Sequence, residues 1–128
     1  MKSLHYAFIL LALFGITACG TESADTTLTD QLSKRWEIRE ASRNGRITES
    51  LDQLYFDFTA EGTLQTNLAG ATETGTYELK EQQILQRGTQ IDADYKIESI
   101  SDTLLVLSTS IRNSNFKFEL VPTEISDQ

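Results

Sequence analysis

Short segments in which apolar and polar residues alternate make up most of the sequence after residue 32. The clearest are residues 54–58 (LYFDF) and residues 116–120 (FKFEL), where every second residue is apolar. A period of two places successive side chains on opposite faces and is typical of a half-buried strand. The pattern therefore predicts a β domain in which one face of each strand lies against a core.

About eight such segments follow one another at intervals of roughly 8–12 residues, joined by short polar turns such as Asn44-Gly45. Pro122 cannot donate a ladder hydrogen bond and is expected to end the last strand. The predicted strands lie around residues 36–39, 54–58, 63–67, 75–79, 83–87, 94–98, 104–107 and 116–120. Sequential hairpins favour an all-β domain with a small antiparallel up-and-down barrel, which leaves no edge strand; a sandwich is the alternative.

Aromatic residues are concentrated on the predicted inward face. The candidates for the barrel interior or a ligand site are Trp36, Phe56, Phe58, Tyr77, Tyr95, Phe116 and Phe118. One interpretation is a pocket for a small apolar ligand. The other is a packed core, because side chains can fill the interior of an eight-stranded barrel. Buried tyrosine hydroxyls need hydrogen-bond partners, which would place Tyr77 and Tyr95 near the mouth of the barrel.

Composition excludes several classes of function. The formal net charge of −8 disfavours nucleic acid as a partner. Cys19 is the only cysteine and His5 the only histidine, and both precede the predicted domain. The domain therefore lacks the residues for Ser-His-Asp or Cys-His catalysis and for histidine or cysteine metal sites. We expect no catalytic residue, no metal site and no cofactor, and hence a protein that is not an enzyme.

The remaining charged residues offer weaker candidates. Asp92 and Asp94 lie on one face of an extended segment, but two carboxylates supply too few oxygens for calcium. Nothing in the spacing selects an acid/base pair from Glu37, Glu40, Asp57 and Glu78. The local basic stretch of Arg35, Arg39, Arg43 and Arg46 either faces a partner or balances nearby acids. We favour balance for the arginines and solvated surface for the acids.

The N-terminus has the pattern of a secretory leader, because residues 6–14 form an apolar run too short to span a bilayer. Residues 16–19 (ITAC) resemble the lipobox of bacterial lipoproteins. The resemblance implies cleavage after Ala18 and a mature chain that begins at Cys19, whose acyl chains, such as palmitate, hold it in a membrane. An ordinary signal peptide that happens to contain a cysteine is the alternative.

The leader defines the predicted organisation of the chain. Residues 1–18 form the signal peptide, 19–31 a lipid-anchored flexible tether, 32–122 the barrel domain and 123–128 a polar tail. One helical turn is predicted within residues 28–34, capped by Thr29 or Asp30. Gly20 is not an acidic retention signal, so we expect a lipid-anchored protein of the cell envelope at the outer membrane.

The order of the strands resembles the lipocalin-like domain of small exported bacterial lipoproteins. The resemblance rests on Trp36, residues 54–58 with 61–63, residues 75–77, 95–97 and 105–107, and residues 116–120. It implies that Trp36 plugs the closed end, and that a basic residue near the last strand, Arg112 or Lys117, covers its ring. Lys34 stands where lipocalins have glycine. The implied function is binding of a small apolar ligand; the alternative is a protein-binding accessory or inhibitor lipoprotein with a packed barrel.

Overall fold

A computed structural model of the chain describes residues 22–123, with side chains described from residue 27 onward. This part of the chain contains one helix and nine strands. In chain order they are α1 (Glu22–Leu32), β1 (Arg35–Arg43), β2 (Arg46–Thr48), β3 (Tyr55–Phe58), β4 (Thr63–Thr66), β5 (Glu73–Lys80), β6 (Gln83–Arg87), β7 (Ala93–Ile100), β8 (Leu105–Ile111) and β9 (Ser114–Pro122). The signal peptide, Cys19 and residues 124–128 of the predicted tail lie outside the described residues.

Eight of the strands form a closed antiparallel barrel. The order is β1-β3-β4-β5-β6-β7-β8-β9, and β9 pairs back onto β1 over most of its length. The short strand β2 pairs only with the end of β1, where Arg43 lies opposite Arg46. The prediction of an all-β up-and-down barrel of about eight strands is therefore confirmed. The extra strand β2 was not predicted, because three residues are too few to show a period.

The turn between β1 and β2 follows directly from the sequence. Asn44 and Gly45 have positive φ values of 52° and 83°. Two consecutive positive φ values belong to the type I′ turn, whose twist matches that of the flanking strands. A second turn of this kind was placed too late, at residues 113–115. It lies at Arg112 and Asn113, with φ values of 50° and 66°, so Ser114 already belongs to β9.

The barrel has two different ends, which we call the closed end and the mouth. The closed end carries α1 and the connections at residues 59–62, 81–82 and 101–104. The mouth carries the connections at residues 44–45, 49–54, 67–72, 88–92 and 112–113. Within the described chain, connections of more than four residues therefore occur only at the mouth. Most of the loop side chains at the mouth come from these long connections.

The helix α1 differs from the flexible tether predicted for residues 19–31. It extends over Glu22–Leu32, where a single turn was predicted at residues 28–34. Leu32 is fully buried and Leu28 partly buried against the barrel core. Leucines four residues apart share one face of a helix, so this packing stabilises a segment whose Thr- and Asp-rich composition favours helix only weakly. The flexible tether therefore stays a prediction, and the structure adds that the part of it from Glu22 onward is helical.

The interior of the barrel is filled by aromatic side chains in mutual contact. The ring centroids of Phe56 and Phe58 lie 5.8 Å apart. Tyr95 meets Phe56 edge to face at 5.4 Å, and Tyr77 meets Phe58 edge to face at 5.1 Å. Aromatic pairs favour these separations and geometries. The packed core, one of the two interpretations of the inward aromatics, therefore describes the centre of the barrel.

Candidate functional site

A cavity of about 240 Å³ opens to solvent at the mouth of the barrel. Its apolar wall consists of Leu51, Leu68, Ile91, Ile111, Phe116 and Phe118. Most of these side chains are only partly buried although they pack against the core cluster, and Phe118 alone among them is fully buried. An open, mostly apolar concavity with a few polar groups is the usual form of a small-molecule site.

Loops and strands both contribute to the cavity. Leu51, Leu68 and Ile91 come from three separate mouth connections. Phe116 and Phe118 stand two residues apart on β9, so the pleat points both toward the interior, with ring centroids 5.8 Å apart. The wall is therefore built partly by the regular sheet and partly by irregular chain.

Two arginines and two serines supply the polar atoms of the cavity. Arg43 and Arg112 line it together with Ser50 and Ser114. The Arg43 Nε donates a hydrogen bond of 3.1 Å to the Ser114 Oγ, and its guanidinium lies 5.9 Å from the centre of the Phe116 ring. Within residues 27–123, no carboxylate lines the cavity and none forms an ion pair with Arg43 or Arg112.

A buried polar network supports the loop that carries Ile91. Tyr95 donates its hydroxyl hydrogen to the Gln86 Oε1 at 2.8 Å, and Gln86 Nε2 donates to the Thr89 Oγ1 at 2.8 Å and to the Ile91 carbonyl at 3.0 Å. Both Gln86 and Tyr95 are fully buried. Burial raises the pKa of the Tyr95 hydroxyl far above its ordinary value, so the group stays a neutral donor. Gln86 lies on the inward face of β6, but its role could not be inferred because two of its partners, Thr89 and Ile91, belong to a loop.

The closed end is built around Trp36, as the lipocalin resemblance implies. Its side chain is 0% exposed, and its Nε1 donates a hydrogen bond of 3.0 Å to the carbonyl of Leu32 at the end of α1. The Lys34 Nζ lies 5.2 Å from the centre of the Trp36 ring. Neither Arg112 nor Lys117 takes this position, because the turn places Arg112 at the mouth and Lys117 points outward from β9.

Tyr77 also belongs to the closed end, so its predicted position near the mouth is wrong. Its hydroxyl donates a hydrogen bond of 2.6 Å to the Thr59 carbonyl in the connection between β3 and β4. Burial raises the pKa of this hydroxyl, while a hydrogen bond with Ser33 offsets part of the rise. The sequence predicts that Tyr77 points inward from β5. It does not predict the end of the barrel that Tyr77 approaches, because this depends on the direction of β5 in the closed barrel.

The candidate aromatics thus separate into two groups. Phe116 and Phe118 line the mouth cavity. The packed interior beneath it holds Trp36, Phe56, Phe58, Tyr77 and Tyr95. Periodicity identifies both groups together, since it reports only which face of a strand is buried. It gives no signal for Leu51, Leu68 and Ile91, which lie in connections without a period.

Most of the charged residues considered as alternative sites are engaged in surface pairs or exposed, and Asp57 is half-buried. Asp94 accepts a hydrogen bond of 2.8 Å from Arg87, and this bond raises the pKa of Arg87. Within residues 22–123, no three His, Cys, Asp or Glu side chains stand close enough together to hold a metal ion. The helix described in this part of the chain is not long and apolar enough to cross a membrane.

The basic stretch of β1 and β2 has a mixed arrangement. Arg35 pairs with Glu37 at 3.6 Å and Arg39 with Glu119 at 3.1 Å. These two arginines are balanced by acids, as the sequence favours. Arg43 turns toward the mouth cavity, and Arg46 is exposed without an ion pair to any residue from 27 to 123.

A wider groove of about 720 Å³ lies at the opposite end, beside Glu37, Thr103, Val121 and Thr123. The Thr123 Oγ1 is buried there without a hydrogen-bond partner among the described residues. Thr123 is the last residue that the structure describes. The mouth cavity is taken as the candidate site because six apolar side chains from separate loops and strands converge on it.

Among solved structures, the chain is similar to a lipocalin-like protein from Bacteroides uniformis, with a TM-score of 0.53 and 18% sequence identity. The likeness covers 73% of this chain and 99% of that protein. No family model matches the sequence, and no curated protein matches it either. At this level of identity the likeness shows a shared fold alone, and it confirms the predicted lipocalin-like barrel.

Proposed function

We propose that this chain is a lipid-anchored lipoprotein of the cell envelope whose barrel binds a small apolar ligand in the mouth cavity. The observation that carries the proposal is the convergence of six apolar side chains, drawn from three loops and two strands, on one opening of about 240 Å³. The centre of the barrel is filled, so the ligand site is the mouth and not a deep central chamber.

The volume of the cavity limits the ligand. Pockets for drug-sized molecules span roughly 300–1,000 Å³, whereas an apolar cavity of about 150 Å³ accommodates benzene. A cavity of about 240 Å³ therefore fits a single ring or a short alkyl chain. The remainder of a longer ligand would extend out of the mouth into solvent.

A comparison of two isoleucine variants tests the proposal. Ile91 lines the mouth cavity, whereas Ile100 is a partly buried isoleucine at the closed end. The full-length lipidated protein in lipid nanodiscs would be titrated with hexan-1-ol by calorimetry, with empty nanodiscs as the blank. We expect Ile91→Ser to weaken binding several-fold, because apolar contact is lost, and Ile100→Ser to leave it unchanged. Equal effects of the two substitutions, or no binding by the wild type, would refute the ligand site.

The anchor part of the proposal rests on Cys19 and the residues before it. Stable attachment needs two or more acyl chains, which a cysteine modified at both its thiol and its new amino group would carry. In this proposal the anchor precedes α1, which joins the barrel at the closed end and not at the mouth. Labelled palmitate should enter the wild type and not Cys19→Ser; equal labelling would contradict anchoring at this residue.

A protein-binding role is the second candidate, and one surface feature favours it. Ile47 on β2 is 70% exposed, the one large apolar side chain so exposed among those described. It borders a groove with Ile38 and Ala41 beside the edge of β2. If a protein partner binds there, Ile47→Glu should abolish its binding and Ile91→Ser should not. If the protein binds a ligand at the mouth, Ile91→Ser should weaken ligand binding and Ile47→Glu should not.

A further inference from the structure

The charge of the mouth cavity is opposite to that of the protein. The chain carries a net charge of −8, with 19 acidic and 11 basic residues. Among residues 27–123, the cavity is nevertheless lined by two arginines and no carboxylate. The described lining of the cavity is therefore basic in an acidic protein, and this local charge is the feature from which the charge of the ligand is inferred.

Arg43 is held in position by a hydrogen bond that uses only one of its N–H groups. Its Nε donates a hydrogen bond to the Oγ of the buried Ser114, and its guanidinium carbon lies 5.9 Å from the centre of the Phe116 ring. Arginine has five N–H donors in a fixed fork, and only one of them is used in this contact. The terminal nitrogens therefore remain able to bind an anion beside the aromatic wall.

Arg112 lies in the turn between β8 and β9, next to the strand that carries Phe116. Its backbone has a φ of 50°, so the rigid two-residue turn fixes where the side chain leaves the backbone. No described carboxylate forms an ion pair with it. The two arginines thus enter one cavity from different hairpins, and both are free to pair with a ligand.

We infer that the ligand is a small apolar carboxylic acid, bound with its carboxylate at Arg43 and Arg112 and its apolar part against Phe116, Leu68 and Ile91. This inference rests on the proposed function and adds the charge of the ligand. Charge-assisted hydrogen bonds to guanidinium groups are stronger than neutral ones. The apolar wall supplies contact area, and the arginines select the head group.

Two probes of equal chain length test the head group, hexanoate and hexan-1-ol, titrated by calorimetry into the full-length protein in nanodiscs at neutral pH. We expect hexanoate to bind about tenfold more tightly, which corresponds to one hydrogen bond to a charged group. Raising the salt concentration should reduce this preference, because partly exposed charges are screened. Equal affinities for the two probes would overturn the inference while leaving the apolar site standing; failure of both probes to bind would refute both proposals.

Three glutamine variants identify which arginine is responsible for the preference for hexanoate. Arg43→Gln and Arg112→Gln should each lower the affinity for hexanoate by about five- to tenfold and lower that for hexan-1-ol by a clearly smaller factor. Arg46→Gln is the matched control, because it removes one charge at the same end of the barrel from a residue that does not line the cavity. An equal loss in Arg46→Gln would show a general field effect and overturn the assignment to Arg43 and Arg112.

Discussion

The closed end and the mouth of this barrel are covered in different ways. At the closed end, Trp36 and Leu32, the last residue of α1, are completely buried and joined by a hydrogen bond. At the mouth no helix is described, and Leu51, Leu68 and Ile91 remain partly exposed around a cavity. The strands between the two ends are continuous, so the difference comes from the segments attached to them.

The comparison shows how a small barrel can separate stability from binding. Burial of apolar side chains stabilises the fold in proportion to the area removed from water, and this area is most complete at the closed end and in the centre. Side chains at the mouth contribute less to stability and can exchange solvent for a ligand. Substitutions at the closed end should therefore affect folding, and substitutions at the mouth should affect binding.

The largest effect on stability is expected for Trp36→Ala. Removal of a fully buried tryptophan costs about 3–5 kcal/mol, a large share of the stability of a small domain. Trp36→Phe keeps most of the apolar volume but loses the hydrogen bond to Leu32, so it should cost less. Urea unfolding followed by circular dichroism measures both; a loss below about 1 kcal/mol in Trp36→Ala would contradict the plug at the closed end.

A pair of leucine substitutions compares the two ends directly. Leu32→Ala should lower the free energy of unfolding by about 3 kcal/mol, because Leu32 is fully buried under the barrel. Leu68→Ala should cost about 1 kcal/mol or less, because Leu68 at the mouth is only partly buried. The same urea titration gives both values. If Leu68→Ala lowered the free energy of unfolding more than Leu32→Ala, the closed end would not be the more stabilising of the two ends.

The hydrogen-bond network of Tyr95 and Gln86 should contribute an intermediate amount to the free energy of unfolding. Tyr95→Phe removes the donor to Gln86 and leaves a buried carbonyl oxygen unpaired, at a cost of about 1–2 kcal/mol. The network also fixes the loop of Ile91, so binding of hexan-1-ol should weaken in the same variant. Calorimetry and thermal unfolding measure the two effects; unchanged binding would show that the loop is held without this network.

Alkaline pH gives an independent test of Tyr95. Its pKa is raised in the folded state, whereas tyrosine in the unfolded chain ionises near pH 10. Above about pH 10 the tyrosine loses its proton in the unfolded chain but keeps it in the folded protein. The free energy of unfolding therefore keeps its full value below about pH 10 and falls above it, by at most about 1.4 kcal/mol per pH unit for one tyrosine. We expect unfolding free energies of Tyr95→Phe to fall less steeply between pH 10 and 11 than those of the wild type. Parallel slopes would contradict a buried neutral Tyr95.

The smallest effect on stability is expected for Arg112→Gln. The residue is exposed and has no ion pair with the described residues, so its replacement should change the free energy of unfolding by less than about 0.5 kcal/mol. Its affinity for hexanoate should nevertheless fall. A substantial loss of stability would mean that the arginine supports the turn and would remove the separation between folding and binding at the mouth.

The sequence predicts the strands well because their signal is local. Phe56 and Phe58 alternate with polar neighbours, and this period alone requires that they share a buried face. The helix α1 carries no such signal, since its stabilisation comes from Leu28 and Leu32 meeting the barrel. Long-range packing of this kind is not encoded in neighbouring residues.

The candidate site could be predicted only in part, for the same reason. Phe116 and Phe118 were identified because they lie on a regular strand. Leu51 and Ile91 lie in connections, where an apolar residue gives no indication of the direction of its side chain. Lys34 over Trp36 was missed because the resemblance implied a cation from the last strand, whereas the residue two positions before the ring supplies it.

The central claim is that a ligand binds at the mouth and leaves the packed interior unchanged. A methyl NMR titration of the full-length protein in nanodiscs with hexanoate tests it most directly. The account predicts shifts at Leu51, Leu68, Ile91 and Ile111, and no change at Leu105 or Leu120, which are buried near the closed end. Shifts centred on Leu105 and Leu120, or no shifts at the mouth, would contradict it.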